Sequence, residues 1–129
     1  MNKELIELQR GCNAVCVVIL EDQIKELKNA LIMDAKITDE YLFARPTGNP
    51  IFKEKLEKMS KNNNLSYFVI NQITEISEEL QNRYIGLIKD REFIGYNIPN
   101  NIILVLTVKT NKDLKKISKD LYHFCVVAI

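Results

Sequence analysis

Residues 67–108, YFVINQITEISEELQNRYIGLIKDREFIGYNIPNNIILVLTV, hold two strand-like apolar runs, YFVI and IILVLTV, separated by a helix-like and then a turn-rich segment. Short runs that are apolar on both faces and rich in β-branched residues suit the interior of a covered parallel sheet. Between them, Ser77 precedes two glutamates and apolar residues at Leu80, Tyr84, Ile85, Leu87 and Ile88. That pattern predicts a capped helix of about three turns. Residues 90–101, DREFIGYNIPNN, predict a hairpin-like excursion bending at Gly95. Strand, helix and strand in this order form the repeating unit of an α/β layered domain.

The flanking sequence extends the alternation. Lys3–Arg10 predicts a helix stopped by Gly11, and AVCVVIL (14–20) a first strand. EDQIKELKNALIM (21–33) places Ile24, Leu27, Leu31 and Ile32 on one helical stripe, so a helix is expected directly after that strand. EYLFAR (40–45) predicts strand two, closed by the turn-rich PTGNP (46–50), and IFKEKLEKMS (51–60) a helix. LSYFVI (65–70) is strand three, IILVLTV (102–108) strand four, NKDLKKISKDLYH (111–123) a helix and FCVVAI (124–129) strand five. The whole, residues 1–129, reads as a single three-layer αβα domain on a mainly parallel five-stranded sheet.

Composition narrows the function classes. Eighteen basic and 17 acidic side chains give a net charge of +1, without the basic excess of a protein that binds nucleic acid by neutralising phosphates. No stretch approaches the ~20 apolar residues of a membrane-spanning helix. The N-terminus lacks the apolar core of a signal peptide, and three cysteines, an odd number, argue against a disulfide framework. A cytoplasmic protein with no nucleic-acid or membrane partner is expected.

The element order, together with Leu80-Gln81, Asp90-Arg91, Gly95-Tyr96 and Ile98-Pro99, resembles the ATPase core of AAA+ proteins, and the MoxR-type branch in particular. The resemblance implies a P-loop-like fold with strand order 5-1-4-3-2. It places Asn71 and Gln72 at the Walker B positions, Lys109 at sensor 1, and His123 and Phe124 in the arginine-finger region. The chain ends with its fifth strand, so the expected core carries no helical lid domain. Relatives assemble side by side or act with a von Willebrand A partner, which implies protein contacts or self-association.

The chemistry of a P-loop ATPase needs glycine-framed backbone amides and a Gly-Lys pair to hold phosphates, plus a Walker B Asp and Glu for metal and water. After strand one the chain offers EDQIKE, without glycine; its four glycines are Gly11, Gly48, Gly86 and Gly95. Glu21 and Asp22 would repel a triphosphate. An amide at position 72 cannot serve as a general base. The expectation is a pseudo-ATPase without catalytic residues, cofactor or ATP. Taken without that context, Asn71-Gln72 is also an ordinary polar strand end.

Three further readings stand beside this one. A flavodoxin-like or Rossmann-like domain, with strand order 2-1-3-4-5, would place a small-ligand site near Glu21, Asp22, Asn71, Gln72 and Thr107. Cys12, Cys16, His123 and Cys125 could converge on zinc, or the cysteines could act as small core hydrophobes and His123 as a helix-end residue. Around the hairpin, Arg83, Arg91, Phe93 and Tyr96 are candidate interface anchors, or part of the packing beneath it.

Overall fold

The computed structural model describes residues 1–36, 50–61, 64–93 and 96–129. Five parallel strands form the sheet: β1 (Cys16–Leu20), β2 (Ala30–Asp34), β3 (Ser66–Asn71), β6 (Ile102–Val108) and β7 (Cys125–Val127). Their order is β2-β3-β6-β1-β7, while β4 (Glu92–Phe93) and β5 (Tyr96–Asn97) make a separate antiparallel hairpin. The helices are α1 (Lys3–Leu8), α2 (Pro50–Ser60), α3 (Glu78–Asn82), α4 (Tyr84–Asp90) and α5 (Lys119–Tyr122).

Both faces of the sheet are covered, as an all-parallel sheet requires. On one face Val18, Phe68, Ile70, Leu104 and Leu106 pack with Leu56 of α2, Leu87 and Ile88 of α4, and Leu121 of α5. On the other, Val17, Ile19, Val69, Ile103 and Val105 meet Ile6 of α1, with Ile24 and Leu27 alongside. All seven residues of β6 are buried. That is why the central run has no polar alternation.

The largest correction concerns residues 21–33. They do not form one helix: Glu21–Glu26 is a 3-10 turn and Ala30–Asp34 is strand β2. Asn29 takes the left-handed conformation (φ 54°), which stops a helix and redirects the chain. Register with β3, from Ala30↔Tyr67 to Asp34↔Asn71, then sends Leu31 and Met33 to the α2 face, opposite Ile24 and Leu27. The apparent helical stripe is thus split between two layers. Consequently the strand order differs from the expected 5-1-4-3-2 in its members. Ala30–Asp34 occupies the edge beside β3, and the predicted strand at 40–45 lies outside the described residues.

Two expected helices are also divided. The segment after Ser77 breaks at Arg83 into α3 and α4, and 111–123 divides into a 3-10 turn (Asn111–Lys116) and α5. Ser118 caps α5 by accepting from the Leu121 amide. At the other end of the chain, Gly11 adopts φ +70°, and a Cβ there would meet the Asn100 side chain at 3.2 Å. Both constraints favour glycine after α1.

Candidate functional site

Strand alternation brings four polar residues together at the carboxyl ends of β1, β3 and β6. Asn71 and Thr107 continue the rows of Val69 and Val105, and Glu21 follows the row of Ile19, so all three fall on the same side of the sheet. The buried Thr107 hydroxyl accepts from the Gln72 backbone N–H at 2.8 Å and donates to Asn71 Oδ1 at 2.6 Å. Gln72, with φ 59°, turns its side chain toward β1, where Nε2 lies 3.0 Å from both Glu21 carboxylate oxygens. The left-handed backbone of a non-glycine residue costs about 1 kcal/mol or more. Hydrogen bonds from both the backbone and the side chain hold it there.

This arrangement is compact and polar, and its groups are bonded to one another. Gln72 donates to Glu21, the Asn71 oxygen is occupied by Thr107, and the segment after β1 presents Glu21 and an exposed Asp22. Lys109 lies beyond this cluster, 3.9 Å from Glu75, with both side chains well exposed. Such a pair contributes little. Four of the five residues of the predicted small-ligand site therefore converge. The flavodoxin-like strand order does not occur, because the neighbours of β1 are β6 and β7 rather than β2.

The hairpin region corrects one assignment. Arg91 is not a surface anchor: it is 5% exposed, and its guanidinium donates to the carbonyls of Pro99 (2.8 Å) and Ile102 (2.6 Å). Burial lowers the pKa of this guanidinium, and its Nε has no partner among the described residues. Arg91 takes φ 49° at the end of α4 and accepts from the Ile98 amide at 2.7 Å, so it fastens the hairpin to the start of β6. Arg83 is exposed and Tyr96 half-buried; burial raises the Tyr96 phenol, and a hydrogen bond from Ser60 opposes the rise. Phe93 lies in β4.

Gln81, a residue of the Leu-Gln step, is also internal. Its Nε2 donates to Ile76 O and Lys116 O at 3.1 and 3.3 Å, and its Oε1 accepts from the Ser118 N–H at 2.7 Å. The Ser118 hydroxyl bonds to Asn82 Oδ1. Nothing in the spacing around Leu80-Gln81 marks this internal role, although an amide on the inward stripe of a helix invites the question of its partners.

Of the four residues considered for zinc, only two meet. Cys16 and Cys125 are paired in register with their sulfurs 3.5 Å apart. Cys12 bonds to Leu8 O, His123 ends α5 on the surface, and no set of three or more ligating side chains gathers among the described residues. Cys125 donates to Leu121 O, leaving Cys16 to donate to Cys125. That hydrogen bond, followed by burial, pushes the Cys16 thiol well above the ordinary range. Phe124 carries Lys89 Nζ 6.0 Å over its ring. No helix among the described residues is long and apolar enough to cross a membrane.

Next to α5 an apolar groove of about 600 Å3 opens, with Leu114 and Ile117 in its lining and Tyr122 and His123 at its side. No family model matches the chain, and no curated protein matches it.

Proposed function

We propose that the chain is a catalytically inactive AAA+-like module, a pseudo-ATPase core that works in the cytoplasm through protein–protein contacts or self-association. The observation that carries the reading is the Gln72–Glu21 pair. Where the resemblance calls for a Walker B acid facing a phosphate loop, an amide donates to a carboxylate from the segment after β1. An acidic, glycine-free turn opposes triphosphate binding and offers no cradle of backbone amides. The position of β1 between β6 and β7, with β3 beyond β6, supports the scaffold half of the reading.

Isothermal titration calorimetry with Mg-ATP tests the catalytic half. No saturable heat is expected, and saturable binding in the micromolar range would overturn it. For the contact half, Arg83 and Tyr96 are the hairpin-side positions to replace with alanine. Loss of a partner recovered by the unaltered protein is expected. Unchanged recovery removes the hairpin from the contact surface.

A further inference from the structure

The groove beside α5 combines an apolar floor with an uncompensated cationic rim. Ile117 is buried beneath it, Leu114 is half-buried against the core, and Tyr122 stands 43% exposed at its wall, among the most exposed large apolar side chains described. Lys112, Lys115 and Lys119 line the same opening, all exposed, and none forms an ion pair among the described residues. The nearby carboxylate of Asp113 does not neutralise them. It is engaged by Lys116 at 3.0 Å and by Thr110, which hold its pKa low. Among the described residues, no acidic side chain lines the groove.

An apolar trough of this volume is large enough for several aliphatic side chains, and successive anchors on one face of a helix are a common way to fill such a trough. Gln81 fixes the floor from below through Lys116 O and Ser118 N, so the groove exists before anything occupies it. A preformed site loses less entropy on binding. We propose that this groove docks an acidic amphipathic helix of a partner protein, with leucine-type side chains over Leu114 and Ile117 and flanking glutamates facing Lys112, Lys115 and Lys119. The inference rests on the reading of the chain as a protein-contact module and names the chemistry of the partner.

The test uses the full chain and fluorescence anisotropy with a labelled synthetic helix of about 15 residues, leucines on one face and glutamates flanking them. A lysine-flanked version and a scrambled version of equal composition serve as comparisons. Saturable binding of the glutamate peptide alone is expected, weakened roughly tenfold by Lys115→Glu with Lys119→Glu and weakened again as salt rises. Tyr122→Ala should lower affinity without changing the salt dependence. Absence of binding, equal binding of the lysine peptide, or affinity indifferent to the lysine substitutions would overturn the proposal. So would light scattering that shows a dimer of the chain which Tyr122→Ala dissociates. Calorimetry with Mg-ATP on the same sample judges the pseudo-ATPase reading separately.

Discussion

The side-chain amide of Gln72 donates to both carboxylate oxygens of Glu21, each at 3.0 Å, and so ties the end of β3 to the turn leaving β1. The Gln72→Glu substitution converts this attraction into repulsion between two partly buried carboxylates. A loss of about 2 kcal/mol at neutral pH is expected from chemical denaturation. Much of it should return in mildly acidic buffer, where protonating one carboxyl removes the repulsion. Nucleotide binding should not appear, since no phosphate cradle is created. An acid-insensitive loss would show that the two groups do not face each other.

Thr107→Val tests the other half of the same cluster. The hydroxyl is buried and serves two partners, the Gln72 amide and Asn71 Oδ1, so a near-isosteric apolar replacement leaves a donor and an acceptor unpaired. The expected cost is about 2 kcal/mol. Thr107→Ser preserves both bonds and should recover most of it. Equal denaturation midpoints for the valine and serine variants would discount the hydrogen bonds.

Legibility followed the periodicity of the sequence and failed where that periodicity was shared by two structures. IILVLTV at 102–108 could only be a buried strand, and its bounds agree with β6. ALIMD at 30–34 was equally apolar but extended the helical spacing of Ile24 and Leu27, and only pairing with β3 decides against the helix. For the site, placement at strand ends was readable, because consecutive strands in a parallel sheet all end on one side. The partners of Glu21 and Thr107 were not. The inward turns of Gln81 and Arg91 depend on carbonyls supplied by residues 116 and 99–102, which no local spacing reveals.

Arg91 offers a graded test of that inward turn. Two charge-assisted bonds run from one guanidinium nitrogen, Nη2, to the carbonyls of Pro99 and Ile102. Lysine keeps the charge as a single point and alanine removes it. Stability is expected to fall in the order arginine, lysine, alanine, with about 3 kcal/mol lost on Arg91→Ala. Hydrogen exchange at Ile98 and Ile102 should accelerate together. If Arg91→Ala leaves the denaturation midpoint unchanged, the side chain is not the fastening of the hairpin.

Gln81→Met removes three bonds to backbone while nearly conserving volume. The amide of Ser118 and the carbonyls of Ile76 and Lys116 lose this partner in a dry environment. About 3 kcal/mol should be lost, and the groove floor should loosen. Proteolysis between residues 111 and 118 ought then to quicken before global unfolding does. A stability loss without that local effect would place the role of Gln81 in α3 alone.

Cys16 supplies the pH dependence. Its thiol is raised by the hydrogen bond to Cys125, then by burial, and the protonated form is therefore the one the fold prefers. A group raised in the folded state contributes stability that is fully present below its unfolded value, about 8.5 for cysteine. The contribution fades as pH climbs from there through the folded value. With reductant present, the denaturation midpoint should accordingly decline as the pH rises above about 8.5. Cys16→Ala should flatten that alkaline slope while lowering stability at pH 7, because it removes a packed sulfur from β1. Tyr67, raised by burial and by Glu7, contributes to the decline in the same direction, so Cys16→Ala reduces the slope without abolishing it. An unchanged slope in the alanine variant would mean that Cys16 ionises as easily in the fold as in the unfolded chain, and the contact with Cys125 would then be packing alone.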